Sequence, residues 1–219
     1  GKKVLLSNQL AVIADAAFGT GGPDSVAMAW LGSLCYTLQI FFDFGGYSDM
    51  AIGLGKMFGF QFLENFRYPY LAASPSDFWK RWHISLSTWF RDYVYIPLGG
   101  NRKGKYRTIL NMFLVWLLTG IWHGANWTFI LWGLTWFVAL ACQRRLPDRN
   151  GCLPLWLRRV LTLLLVNATW VLFRADSVGD AFSFLGTMFL WNAPPLWSVQ
   201  AGYYLAQNVV VLAAAALAC

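Results

Sequence analysis

The chain predicts an all-α, multi-pass transmembrane protein with short re-entrant and interfacial helices. Three observations carry that prediction. The residues are 58% hydrophobic and only 12% charged, with a mean hydropathy of +0.47. Soluble domains have roughly 45–50% apolar and about 25% charged residues, so lipid has to cover surface that charge does not. Thirteen Trp and nine Tyr suit a protein with many membrane–water interfaces, where amphipathic rings settle. Finally, the net charge of +7 comes from short basic clusters between apolar runs. That is the positive-inside pattern of a membrane protein, and it argues against nucleic acid as a partner.

The elements follow in order. Residues 1–18 open with Lys2 and Lys3, an interfacial start, and then place Leu6, Leu10, Ile13 and Ala17 at helical spacing. GTGGPD at 19–24 is a turn by composition. Residues 25–44 form an apolar run long enough to span, since about 20 helical residues cover the ~30 Å hydrocarbon core. Asp43 closes that run, either as an interfacial carboxylate or as an intramembrane acid. Residues 47–60, after Gly45 and Gly46, read as a separate short amphipathic or tilted helix. Residues 74–92 read as one helix. Ser74 caps it, Pro75 suits its first position, and Asp77 lies in the first turn, where the helix dipole favours an anion. Helical spacing then puts His83 on a face with Trp79, Leu86, Ser87 and Phe90. NRKGKYR at 101–107 is a basic loop.

Residues 108–122 and 127–142 are two apolar arms joined by His123, Gly124, Ala125 and Asn126. Arg144, Arg145, Arg149, Arg158 and Arg159 surround the next loop. Residues 160–173 form a further apolar run, 174–202 a loop with an amphipathic piece, and 203–219 a last span. The basic loops at 101–107 and 144–159 go to the cytoplasmic side, the two arms leave and return as a pair, and 174–202 face the other side. The organisation is a single membrane-embedded domain over 1–219, with its motif core at 41–135. The start at Gly1 and the apolar end at Ala214–Cys219 mark it as an internal or C-terminal piece of a longer protein. Cys35, Cys142, Cys152 and Cys219 lack CxxC spacing and read as packing residues.

His123 is the sharpest candidate for chemistry. Fifteen residues from Thr108 to Trp122 make roughly 22 Å of helix, short of the ~30 Å core. A turn reached from the cytoplasmic loop therefore places His123 inside the bilayer, where an ionisable side chain points to function. The bland alternative is a histidine hydrogen-bonded within the bundle. A neutral imidazole at low dielectric can act as a general base on a hydroxyl attacking a thioester. Gly124 allows close approach, and Asn126 offers an amide donor and acceptor beside the ring. His83 is the second candidate, either catalytic or an interfacial packing residue. Lys80, Arg81, Arg91, Arg102, Lys103, Lys105 and Arg107 receive either the phosphates of a cytosolic donor or anionic lipid head groups. Two distant histidines make a poor metal site. The chain has no Gly-x-Ser-x-Gly elbow, P-loop or GxGxxG motif.

Three stretches resemble the membrane-bound O-acyltransferase superfamily, in its bacterial branch that O-acetylates alginate and other polysaccharides. They are FFDFGGYSDMAIGLGKMFGF at 41–60, NFRYPYLAASPSDFWKRWHISLSTWFRDYVYIPLGGNR at 65–102 and TGIWHGANWTFILWG at 119–133. The resemblance implies a multi-pass enzyme of the bacterial cytoplasmic (inner) membrane. Its acetyl group would come from cytosolic acetyl-CoA, with no tightly bound cofactor and no metal. Extracytoplasmic acetyltransferase partners would then modify the exported polysaccharide. It makes His123 the catalytic histidine and His83 the second motif histidine. Arg81, Trp82, Arg91, Asp92 and Asn126 form the expected substrate-binding set. Two other readings stay open: D-alanyl transfer to teichoic acid from a carrier protein, and a non-catalytic conduit or scaffold that passes an acyl donor to a partner.

Overall fold

The computed structural model describes residues 1–145, 153–191 and 193–219. Arg149 and Cys152 lie outside these residues. Among the described residues the secondary structure is entirely helical, with no strand. The chain divides into two compact units, Gly1–Phe62 with Trp170–Cys219, and Leu63–Thr169. Among the described residues, three helices are long and apolar enough to cross a membrane: α2 (Val26–Met57), α7 (Leu155–Arg174) and α9 (Val199–Ala218).

The first unit is built from well-capped helices. A π-helical turn, Lys2–Ser7, leads into α1 (Asn8–Phe18). Ser25 starts α2 by accepting the Met28 N–H, Ser177 starts α8 (Val178–Met188) through Asp180, and Ser198 starts α9 through Ala201. Each serine oxygen satisfies an orphan donor of the first turn. Ala17, Met28, Ala29, Val171, Phe184, Met188 and Ala201 form the core. Phe18 stacks on Phe184 at 4.2 Å, and Arg174, ion-paired with Asp15 at 2.7 Å, lies over the Phe18 ring.

The sequence expectation for residues 25–60 changes here. α2 does not stop near Phe44 but runs unbroken to Met57, so 47–60 is mostly its continuation. An interior glycine costs only about 1 kcal/mol, which does not end a helix that packs along its length. Gly46 lets the N-terminal turn lie close, because a Cβ there would stand 3.3 Å from the Lys2 Cβ. Asp43 is a pairing residue. It accepts the Ser7 hydroxyl and forms an ion pair with Lys3, while Lys2 pairs with Asp49 at 2.7 Å.

The second unit holds both histidines. α5 (Lys105–His123) and α6 (Trp127–Arg145) form a hairpin. The backbones meet at two glycines. A Cβ on Gly120 would lie 2.7 Å from the Phe129 carbonyl oxygen, and one on Gly133 2.5 Å from that of Trp116. α5 is longer than the sequence suggests. It starts after Gly104 (φ +83), absorbs Lys105–Arg107 from the expected basic loop, and includes His123 in its last turn. Nineteen residues make ~28 Å of helix, so His123 stands farther from the basic end than fifteen residues would place it.

The expected single helix over 74–92 is broken. α3 (Pro75–Trp79) begins as the sequence indicates, with Ser74 accepting the Asp77 N–H. α4 (Ile84–Phe90) restarts after His83, and a π turn, Arg91–Tyr95, follows. His83 is left-handed, at φ +46, ψ +56. A β-carbon there costs roughly 1–2 kcal/mol, so surrounding contacts have to impose the conformation. His83 therefore does not share a helical face with Trp79, Leu86, Ser87 and Phe90; it is the joint between two helices.

Candidate active site

Aromatic packing sets the short helices against the hairpin. Trp79 of α3 makes edge contacts with Trp116 of α5 at 4.8 Å and with Trp136 and Trp132 of α6 at 5.1 and 5.8 Å. Phe78 stacks on Trp136, 5.3 Å away and 5° from parallel. Phe78, Trp132 and Trp136 are essentially fully buried. Polar contacts finish the junction. The Ser76 N–H donates to Gln143 Oε1 at 3.0 Å, and Gln143 Nε2 donates to Ser76 Oγ at 2.8 Å. This fixes the first turn of α3 against the end of α6.

His123 closes α5 with its ring edge-on to Trp132, 5.0 Å away and 88° from parallel. Trp122 lies between the histidines, with ring centroids 4.8 Å from His123 and 6.5 Å from His83. The fold thus brings the two histidines, forty positions apart in sequence, into electrostatic reach. Burial, together with the electrostatic influence of His123, pushes the His83 imidazole down to about 4, so His83 is neutral at pH 7. Gly124 accommodates the Phe129 ring, whose Cε2 would lie 2.7 Å from a Cβ at that position.

His83 is held from a third segment. Asn65 Oδ1 accepts from the Ser85 backbone N–H at 3.1 Å and from the Ser85 hydroxyl at 3.0 Å, and it lies 3.3 Å from His83 Nδ1. The Asn65 carbonyl accepts the Ile84 N–H, and the Arg67 N–H donates to the Arg81 carbonyl. Two short backbone links therefore clamp residues 65–67 across the joint.

The substrate-binding candidates take varied places. Arg81 Nε donates to Asp77 at 2.8 Å and its Nη1 reaches the Arg67 carbonyl, which gives it a bracing part. Trp82 is buried, edge-on to Phe66 at 4.9 Å and stacked with Phe78 at 5.6 Å. Asn126 Oδ1 accepts the Thr128 N–H as α6 begins. Arg91 and Asp92 form a two-point pair at 2.7 and 3.2 Å. Arg91 borders an apolar groove of about 230 Å³ whose walls include Trp79, Leu86, Phe90, Val115 and Leu140. It also borders a second cavity of about 390 Å³ that carries Arg102 and Lys103.

Asn65, Asn111 and Gln143 escaped the sequence reading. Asn111 is fully buried and its Nδ2 donates to the carbonyls of Leu98 and Gly100, fastening the Pro97–Gly100 turn to α5. The one sequence cue for Asn111 is a lone amide inside an apolar helix, where an unpaired polar group is costly.

The sequence description of the membrane-bound O-acyltransferase family matches residues 22–146. The chain is 52% identical over 189 residues to the probable alginate O-acetylase AlgI of Pseudomonas putida, covering 86% of this chain and 39% of that protein. It is 48% identical over 221 residues to its namesake in Azotobacter vinelandii, covering 96% of this chain and 44% of that one. Against the peptidoglycan O-acetyltransferase of Helicobacter pylori the identity is 42% over 191 residues, covering 85% and 36%. The chain spans about two fifths of the length of these curated relatives. The family match takes in His83, His123 and the α5–α6 hairpin, and on that evidence the chain belongs to the membrane-bound O-acyltransferase family.

Proposed function

We propose that this chain carries the reaction centre of a bacterial membrane O-acetyltransferase. The enzyme moves an acetyl group from cytosolic acetyl-CoA towards an exported polysaccharide of the alginate type. The observation that carries the reading is the convergence of His83 and His123 around the Trp122 ring. The alginate O-acetylase name of its relatives supports the acyl group and the polysaccharide class.

In this reading His123 is the base. Its imidazole takes the proton of the acceptor hydroxyl as that oxygen attacks the thioester carbonyl. The tetrahedral intermediate collapses with cleavage of the C–S bond. The leaving thiolate takes the proton back from the imidazolium, so the products are an O-acetyl ester and free CoA thiol. The rings of Trp132 and Phe129 pack beside the imidazole and hold it in place, and a positioned base is the effective one. Arg91, Arg102 and Lys103, around the second cavity, supply positive charge for the donor phosphates. Extracytoplasmic acetyltransferase partners receive the acetyl group on the far side of the inner membrane.

The test is acetyl transfer from radiolabelled acetyl-CoA by the intact protein in nanodiscs, with and without His123→Ala. A general base contributes about 10²- to 10⁴-fold, and the variant should lose that much while staying folded. Wild-type turnover by His123→Ala would overturn the assignment. Transfer from an acylated carrier protein but not from acetyl-CoA would move the donor to the D-alanyl class. Turnover only when a partner enzyme is added would make the chain a conduit.

A further inference from the structure

We infer that Asn65 is a positioning residue that sets the tautomer of His83, placing the ring proton on Nδ1 and the lone pair on Nε2. The inference rests on the reading above, in which His83 and His123 converge at the reaction centre. The hydrogen bonds assign the atoms. The Ser85 backbone N–H can only donate, and it points at Asn65 Oδ1 from 3.1 Å, so that atom is the amide oxygen and not the nitrogen. The same oxygen is 3.3 Å from His83 Nδ1. A deprotonated Nδ1 would set two lone pairs against each other, so Nδ1 carries the proton and donates it. Ser85 Oγ is compatible with this arrangement: with its proton on Asn65 Oδ1 at 3.0 Å, it is an acceptor where it stands 3.4 Å from Nδ1. A neutral imidazole has one N–H, and Nε2 is therefore the basic nitrogen.

The backbone around the ring supports the same role. His83 adopts its left-handed conformation between two links from the 65–67 segment, Ile84 N–H to the Asn65 carbonyl at 3.1 Å and Arg67 N–H to the Arg81 carbonyl at 2.9 Å. Asn65 thus fixes where the ring sits with its main chain and which nitrogen is protonated with its side chain. From α5, His123 is the ionisable group that acts on the ring. On the His83 segment, Arg81 is turned to Asp77 and the Arg67 carbonyl. On the Asn65 segment, Glu64 is exposed.

The experiment uses the intact protein in nanodiscs with Asn65→Asp and Asn65→Ala. Aspartate keeps both the acceptor and the helix cap, but adds a negative charge that favours the imidazolium. The acid limb of its kcat–pH profile should move up by about one unit or more. Alanine removes the acceptor, and kcat should fall about 10²-fold, as for a misplaced reacting group, with KM for acetyl-CoA little changed. A residue that only caps α4 would behave otherwise. Aspartate caps as well as asparagine, so a profile superimposed on wild type for Asn65→Asp overturns the inference. ¹⁵N NMR of the histidine rings reads the tautomer without turnover, with the His83 signals assigned by their loss in His83→Gln. A protonated Nδ1 and an unprotonated Nε2 are expected, and a proton on Nε2 refutes the inference even where histidine-dependent transfer survives. If His83→Gln and His123→Ala both transfer acetyl at the wild-type rate while the ring shows Nδ1–H, the functional reading fails and the tautomer stands.

Discussion

α2 and the α3–α4 segment are both helical, yet opposite forces hold them. α2 runs for 32 residues and carries its own ladder of backbone hydrogen bonds across two adjacent glycines. α3 and α4 have five and seven residues. Helices shorter than about 12–15 residues are marginal on their own, so these two depend on what packs against them. Trp79 and Phe78 seat α3 on the hairpin, and Asn65 pins the start of α4. The long helix is a stable object that the core decorates; the short pair exists because side chains from three other segments define it. That difference has a geometric consequence. A helix interior presents a residue only along a regular face, whereas a side-chain-built joint can present His83 from a left-handed backbone beside a hairpin end.

The strongest way to test the dependence is to remove one of those side chains. Trp136 is fully buried against both Phe78 and Trp79. Trp136→Ala should cost about 3–5 kcal/mol, the usual loss for a large buried ring, and cleavage by protease within residues 72–90 should rise with it. Pulse proteolysis of the intact protein in mixed micelles measures both. A loss below about 1 kcal/mol, with no new cleavage there, would mean that α3 and α4 hold themselves up, and the contrast with α2 would fail.

The legibility of the sequence follows the same division. Elements that rest on local signals were readable: the Ser74–Pro75–Asp77 start of α3, the paired arms around His123 and Asn126, the apolar runs of α7 and α9. The break at His83 was not, because its neighbours carry a helix-compatible pattern and the residue that imposes the break, Asn65, lies eighteen positions earlier. Gly45 and Gly46 misled in the other direction. A glycine pair suggests a joint, but its cost is small against the packing of a long helix, and only the approach of Lys2 shows why a small residue suits Gly46. The pairing of His83 with His123 is likewise a product of tertiary packing, visible in the sequence only as two histidines within one motif-rich region.

The hairpin offers an intermediate case. It is long enough to be stable as two helices, but its close approach depends on Gly120 and Gly133. Gly120→Ala would put a Cβ 2.7 Å from the Phe129 carbonyl oxygen and 3.1 Å from the Ile130 Cα. Backbone cannot swing aside as a side chain does, so the helices have to separate. Overpacking of this kind costs about 1–3 kcal/mol, and it also shifts His123, three residues on. The expected result is a modest loss of stability with a larger loss of the proposed acetyl transfer. Unchanged values for both would show that the glycine contact does not set the position of the histidine.

The smallest effect tests the other side of the contrast, and it has the opposite sign. Gly45 sits in the middle of α2, and a Cβ built there meets nothing within 4 Å. If the helix is held by its own backbone, Gly45→Ala should stabilise it by roughly 0.5–1 kcal/mol through the lower conformational freedom of alanine. Gly46 is the internal control: one position on, its Cβ would press on Lys2, and the gain should shrink or vanish. Both variants can be followed by hydrogen exchange of the amides around Asp49, where slower exchange in Gly45→Ala alone is the expected outcome. Faster exchange in Gly45→Ala would mean that the glycine pair is a working hinge in α2, and the long helix would then belong with the short ones, as an element whose shape is imposed from outside.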